Sequence, residues 1–359
     1  MYMKVYNFSA GPSTLPTEAL LSAQNNLIDY DGKGLSVMEM SHRSKPYEEI
    51  HNECISLLRE LMNIPDNYKV LFMTGGATTQ FEAVALNLMK TGKADYVVTG
   101  NFANNAYKLA AKYGDVQIAA SSADRNHTYI PSLNADTFRA DTDYVHITTN
   151  NTIFGTRYRE IPVTKAPLVA DMSSNILSEE YDVSAFGVIY AGAQKNIAPA
   201  GVTVVIVRED LIGNALSICP MMLDYKTYAD SNSMYNTPPC FSIYMAMLNF
   251  RWLKSIGGIK EVNKLNVLKA NMLYDFIDNS SYYTNNVDPE YRSIMNIPFV
   301  TPDKELDAKF IKEAASNGLI TLGGHRLVGG MRASIYNAME IDGVTALINF
   351  MKKFESENK

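Results

Sequence analysis

The chain has little of what several protein classes require. Its three cysteines, Cys54, Cys219 and Cys240, are far apart and odd in number, which speaks against both a disulfide framework and a zinc site. The five histidines include no close pair at metal-ligand spacing, and neither HExxH nor CxxC occurs, so no metal is expected. Basic residues are outnumbered, 32 Lys and Arg against 38 Asp and Glu, and a formal charge of −6 gives no electrostatic footprint for nucleic acid. Apolar runs such as that in GVTVVIV are strand-sized and far below the roughly 20 residues that span a bilayer. The opening MYMKVYNFSAGPSTLP has polar residues and two prolines where a secretory signal needs an unbroken apolar stretch. There are no low-complexity tracts, Ser/Gly linkers or internal repeats. A cytoplasmic protein with neither nucleic-acid nor membrane partners is expected.

What is present is ordinary globular composition, 47% hydrophobic and 19% charged over 359 residues, enough for a large α/β unit with a smaller one beside it. Apolar, β-branched runs alternate with helical periodicity: KVLFMTGG then QFEAVALNLMK, ADYVVTG then ANNAYKLAAKYG. The rhythm continues through YVHITT, PLVADMSS, FGVIYAGA and VTVVIVRE and ends near residue 212, which predicts a large, mostly parallel sheet with helices on both faces. Two long helices follow, in SIYMAMLNFRWLKSIGG and KEVNKLNVLKANMLYDFIDN, linking to a smaller α/β unit. There YRSIMNIPFV and RASIYNA read as strands, ELDAKFIKEAASNG as a helix ended by glycine, and GVTALINFMKKFE as an amphipathic terminal helix.

Three stretches carry chemistry. In VIYAGAQKNIAPAGVTVVIVR, Lys195 sits in a turn of small residues between two apolar strands, where a bulky group has room to approach the backbone. Asp171 ends the apolar strand PLVA and falls at the C-terminal sheet edge, where open α/β sheets bind ligands. The turn Thr74–Thr79, between the strand VLFM and a helix expected to begin near Gln80, offers free N–H groups and a helix dipole to an anion. It is neither a Walker loop nor a GxGxxG fingerprint. Each stretch alone has a plainer reading: a solvent-facing lysine, a turn-capping aspartate, a tight connection. Together they place an anion cradle, an acid and a lysine in order at the ends of successive strands.

Here the chain resembles the phosphoserine aminotransferases, a branch of the class V, fold-type-I, pyridoxal-phosphate-dependent aminotransferases. The segments that carry the resemblance are NFSAGPSTLP, SVMEMSHRS, KVLFMTGGATTQF, VIYAGAQKNIAPAGVTVVIVREDL, SMYNTPP and GHRLVGGMRASIYNAM, which together span essentially the whole length. The resemblance implies a large pyridoxal-phosphate-binding domain over 16–257 built on a mostly parallel seven-stranded sheet. It also implies a smaller C-terminal α/β domain over 258–359, with the segment 1–15 joining them. It implies that Lys195 holds pyridoxal 5′-phosphate as an imine, and that Asp171 pairs with the ring nitrogen. Ala77, Thr78, Thr152 and Gln194 bind the cofactor's phosphate or ring oxygen, and Phe102 stands where many members stack a tryptophan. Asn236 and Thr237 reach the cofactor phosphate of a neighbouring subunit, so a homodimer with shared sites follows from the same likeness.

For substrate, the resemblance assigns Arg332 to the α-carboxylate, His42 and Arg43 to the distal phosphate or the γ-carboxylate of glutamate, and His325 and Arg326 to an approach from the other subunit. Thr78 stands where some members carry an arginine, so one positive charge of that pattern is missing. The reaction implied is transfer of the amino group of L-glutamate to 3-phosphohydroxypyruvate, giving O-phosphoserine for serine biosynthesis, with 4-phosphohydroxythreonine as a secondary substrate. A class V aminotransferase for small 2-oxo acids such as glyoxylate is the alternative. A cysteine desulfurase is disfavoured, because Gln194 rather than His precedes Lys195 and Cys240 follows two prolines.

Overall fold

A computed structural model describes residues 4–359. β1 (Tyr6–Asn7), α1 (Thr17–Asn25) and α2 (Lys45–Met62) open the chain. Alternation then begins, with β2 (Tyr68–Met73), α3 (Gly76–Leu88), β3 (Lys93–Val98), α4 (Asn101–Ala110) and β4 (Asp115–Ser121). β5 (Tyr144–Thr148), β6 (Leu168–Asp171), β7 (Val188–Gly192) and β8 (Thr203–Arg208) complete the main sheet. α5 (Tyr225–Asp230), α6 (Cys240–Ser255) and α7 (Gly258–Asp278) lead to β9 (Asn296–Phe299), α8 (Lys304–Ser316), β10 (Leu319–Ile320), β11 (Met331–Ser334) and α9 (Ile341–Asn358).

The main sheet has seven strands in the order β2-β8-β7-β6-β5-β3-β4. It is parallel except for β8, which runs antiparallel to both β2 and β7. Near-continuous burial of β5 to β8 follows from helices on both faces. Ile147, Ala170 and Ile189 point to one side, into a core shared with α2 and α6. Tyr144, Val169 and Tyr190 point to the other, against α3 and α4. β4 is the strand that sequence reading passes over. It is a half-exposed edge strand whose polar alternation, DVQIAAS, lacks the apolar run of its neighbours.

A second core lies under β9 and β11, which pair antiparallel, and takes in α8, α9 and the C-terminal half of α7. The N-terminal residues belong here too: β1 pairs with β10 and Phe8 is buried in this core. α7 bridges the two cores, burying Ile259 and Val262 in the first and Ala270, Leu273 and Ile277 in the second.

Where the halves meet, backbone lies close to backbone. Gly155 holds φ +78, and a Cβ there would fall 2.4 Å from Pro298 Cδ on β9. Gly92 has a similar φ of +84 with nothing within 4 Å. Gly155→Ala is therefore expected to cost roughly 3 kcal/mol, strain plus clash, and Gly92→Ala only about 1 kcal/mol of strain. Thermal unfolding of the two variants checks this, and equal losses would mean the halves yield freely at this contact.

Candidate active site

Three consecutive strand ends build one cavity. β5 runs into the polar turn Thr148–Thr152, β6 ends at Asp171 before Ser173 and Ser174, and β7 runs into the turn that carries Gln194 and Lys195. Parallel pairing sets Thr148 opposite Asp171 and Asp171 opposite Tyr190, so the three turns emerge side by side. The enclosed space is about 270 Å³, walled on the remaining sides by the first turns of α3 and α4, the N-terminal segment at Ala10 and Gly11, and His325 and Arg332.

Lys195 Nζ donates to Thr152 Oγ1 at 2.9 Å and lies 5.7 Å from the centre of the Phe102 ring. Burial, opposed by the charge of Asp171 and aided by that of Arg332, brings its pKa down to about 8. Such an amine gives up its proton near neutrality, as a nucleophile and proton carrier must. The N-terminal segment holds its backbone: Ser13 N donates to Gln194 O at 2.9 Å and Ser13 Oγ donates to Lys195 O.

Asp171 is buried, and burial raises its pKa, while hydrogen bonds from Ser173 and the charge of Lys195 favour the carboxylate. Ser173 N, at 2.9 Å, and Ser173 Oγ, at 2.6 Å, both donate to Oδ1. No hydrogen bond among the described residues engages Oδ2, which leaves that oxygen to the cavity. On the same face of the sheet, Tyr190 Oη and His146 Nε2 are 2.8 Å apart, and burial holds the pKa of His146 at about 3.

Arg332, on β11, reaches across from the second core and donates through Nη1 to Thr152 O at 3.3 Å. Its Nε is buried without a partner, as is Thr148 Oγ1. His325 stands on the wall of its own chain's cavity, whereas the resemblance brings it in from the other subunit. The loop folds back because Gly324 N donates to Gly330 O and Gly329 N to His325 O. Burial, and then Arg332 and Arg326, lower the pKa of His325.

These groups suit pyridoxal phosphate. α3 begins at Gly76, one turn earlier than the sequence suggested, because Gly75 and Gly76 adopt φ +93 and +71 and so start the helix immediately after the strand. Ala77 and Thr78 thus lie in its first turn, where no side chain caps the free N–H groups, a setting for a phosphate. A carboxylate oxygen for the ring nitrogen, an amine for the carbonyl and an aromatic face at Phe102 surround the same space. Among the described residues, no group of three His, Cys, Asp or Glu could hold a metal ion.

The structure thus brings together Ala77, Thr78, Phe102, Thr152, Asp171, Gln194, Lys195, His325 and Arg332. It leaves His42, Arg43, Asn236, Thr237 and Arg326 outside this chain's cavity wall. Of these, Arg43, Asn236, Thr237 and Arg326 are exposed, and His42 is part-buried with Nε2 unpaired. Sequence reading missed Thr148, Asn150, Ser173 and Ser174, although TTNNT after the apolar YVHI carries the same signal that flagged Asp171 after PLVA.

Residues 5–347 match the family described as aminotransferase class-V. The chain is 57% identical to the phosphoserine aminotransferase of Bacillus thuringiensis subsp. konkukian over 99% of both chains. It superposes on the phosphoserine aminotransferase structure from Bacillus circulans subsp. alkalophilus with a TM-score of 0.97 and 45% identity, covering 99% of each. The PLP-bound phosphoserine aminotransferase from Trichomonas vaginalis gives 0.93 and 37%, over 97% of this chain and 100% of that one.

The lysine's environment predicts a titration. In cofactor-free protein, modification of Lys195 by an amine-reactive reagent, followed by peptide mass analysis, should rise with a midpoint near pH 8. Removing the guanidinium in Arg332→Gln should move the midpoint up, and Asp171→Asn should move it down. A midpoint in the ordinary lysine range, unmoved by either change, would contradict this electrostatic picture.

Proposed function

The chain belongs to the class-V aminotransferase family, and we propose that it moves the amino group of L-glutamate to 3-phosphohydroxypyruvate, giving 2-oxoglutarate and O-phospho-L-serine, with pyridoxal 5′-phosphate as cofactor. The observation that carries the reading is the single cavity onto which Lys195, Asp171 and Arg332 all open. The large unit, 16–257, supplies the cofactor side, and the smaller one, 258–359, supplies the arginine for the substrate's carboxylate.

When bound, the cofactor supplies a carbonyl that amines join and a ring that withdraws electrons. Lys195 would hold that carbonyl, and its Nζ, facing the cavity, would take and return the proton of the substrate's α-carbon. Its lowered pKa keeps a share of it neutral at physiological pH. Thr152 Oγ1, which accepts from that Nζ, sets its direction. Asp171 Oδ2 is assigned to the ring nitrogen, and Ser173 fixes the carboxylate in place through Oδ1. Ala77, Thr78 and Gln194 are assigned to the cofactor's phosphate and Phe102 to the face of its ring. Arg332 binds the α-carboxylate common to both substrates, a group that its planar fork of donors matches. Phe81, Phe102 and Ile153 line the cavity and limit the entry of water.

The protein is read as a cytoplasmic homodimer with shared sites. Asn236 and Thr237 of one subunit would touch the cofactor phosphate of the other, and His42, Arg43 and Arg326 would supply the positive charge that grips the substrate's distal phosphate. The exposure of Arg43, Arg326, Asn236 and Thr237 away from their own cavity supports this. Among the described residues, no helix is long and apolar enough to cross a membrane.

Lys195→Ala should lose both turnover and the borohydride-reducible attachment of the cofactor; retention of that attachment would place the link elsewhere. Asp171→Ala should keep some cofactor but lose a factor of about 1000 or more in kcat, the scale of a removed electrostatic stabiliser. Mixing Lys195→Ala with Asn236→Ala/Thr237→Ala should restore activity through hybrid dimers, and no recovery after verified subunit exchange would count against shared sites.

A further inference from the structure

β9 and β11 form a two-stranded sheet that is divided cleanly by face. Ile297, Phe299, Met331 and Ala333 enter the second core. Their neighbours Asn296, Pro298, Arg332 and Ser334 take the opposite face, toward the large unit, because side chains alternate along a strand. Pro298 meets Gly155 there, and Asn296 meets Asn150, the residue two beyond the end of β5.

Both amides are buried, Asn150 at 2% exposure and Asn296 at 0%, and both are fully used. Asn150 Nδ2 donates to Asn296 Oδ1 at 2.9 Å and to Ser174 Oγ at 2.8 Å, while its Oδ1 accepts from Ser293 Oγ at 2.6 Å. Asn296 Nδ2 donates to Ser334 Oγ at 3.0 Å and to Tyr336 Oη at 3.1 Å. Tyr336 Oη donates in turn to Ala10 O at 2.9 Å. The line of bonds therefore starts on the cavity wall at Asn150 and Ser174, crosses to the strand that carries Arg332, and returns to the wall at Ala10. Each junction needs two donors on one atom and an acceptor on the next, which only an amide supplies.

We propose that the Asn150–Asn296 pair is a positioning device for substrate recognition: it pins the strand bearing Arg332 at a fixed separation from the wall bearing Lys195 and Asp171. The proposal rests on the reading of Arg332 as the carboxylate ligand. Ser334 lies two residues from Arg332 on the same face, so a shift at Ser334 is passed along the strand to the guanidinium. Among the described residues, the Arg332 side chain has one direct tether to the large unit, the long bond to Thr152 O, so its place relative to that unit depends on how β11 is held. A bidentate guanidinium tolerates little displacement before it loses its grip on a carboxylate.

The test compares Asn296→Leu, which keeps volume and removes every side-chain bond of Asn296, with Ser334→Ala, which removes one hydroxyl. In the cofactor-loaded protein, KM for glutamate and for 3-phosphohydroxypyruvate should rise together, about tenfold in Asn296→Leu and about threefold in Ser334→Ala, and kcat should fall less. Reducible cofactor attachment should remain complete. Where Asn296→Leu does not fold, Ser334→Ala decides. Arg332→Ala, assayed in parallel, separates this inference from the reading beneath it. If Arg332→Ala raises both KM values while the two variants stay within about twofold of wild type, the pair has only a scaffolding role and the proposal falls. It falls equally if the two variants lose cofactor or kcat with KM unmoved. Unchanged KM in Arg332→Ala would overturn the carboxylate reading and this inference with it.

Discussion

Side-by-side parallel pairing of β5, β6 and β7 is the constraint on which the rest of the site depends. It places Thr148, Asp171 and Tyr190 in one row on one face of the sheet, just below three turns that all open in the same direction. A slip of one residue would send Asp171 into the apolar core on the other face. The reversal of β8 serves the same end. By running antiparallel to β7 it lets the chain return through a short turn, and that turn carries Lys195.

Charge in the cavity is sparse and mutually arranged. One carboxylate, one amine and one guanidinium share the space, and the buried His146–Tyr190 pair on the same face of the sheet is neutral. Burial acts on all three groups in the direction that favours their uncharged forms. Asp171 resists through Ser173 and Lys195, whereas Lys195 is left between Asp171 and Arg332, whose charges oppose each other. The result is an amine that exchanges its proton near neutral pH beside an acid whose carboxylate form is opposed by burial and favoured by the hydrogen bonds from Ser173 and the charge of Lys195.

Much of this was legible in the chain. The apolar strands announced the sheet, because strands covered on both faces need continuous apolar runs, and Asp171 and Lys195 stood out because each breaks the pattern where a strand ends. Less was legible where the signal is three-dimensional. β4 is polar enough to look like a loop. The early start of α3 depends on two glycines at positive φ, which propensity reads only as a turn. Asn296 and Ser334 carry no local mark: each is an ordinary polar residue within a short strand, and their meaning comes from the two halves closing on one another. Thr148 lay in a flagged strand, but a lone hydroxyl in a buried row looks like β-propensity until its lack of a partner is seen.

One cavity is proposed to pass an amino group between two carboxylate-bearing substrates and to select the phosphorylated acceptor. Stoichiometry of the separate half-reactions tests it most directly. Cofactor-loaded protein mixed with glutamate alone should release one 2-oxoglutarate per chain and then stop. Adding 3-phosphohydroxypyruvate should then form one O-phosphoserine per chain and restore the original spectrum, far faster than pyruvate or glyoxylate does. No 2-oxoglutarate from glutamate, or restoration by pyruvate as fast as by the phosphorylated acid, would contradict the account.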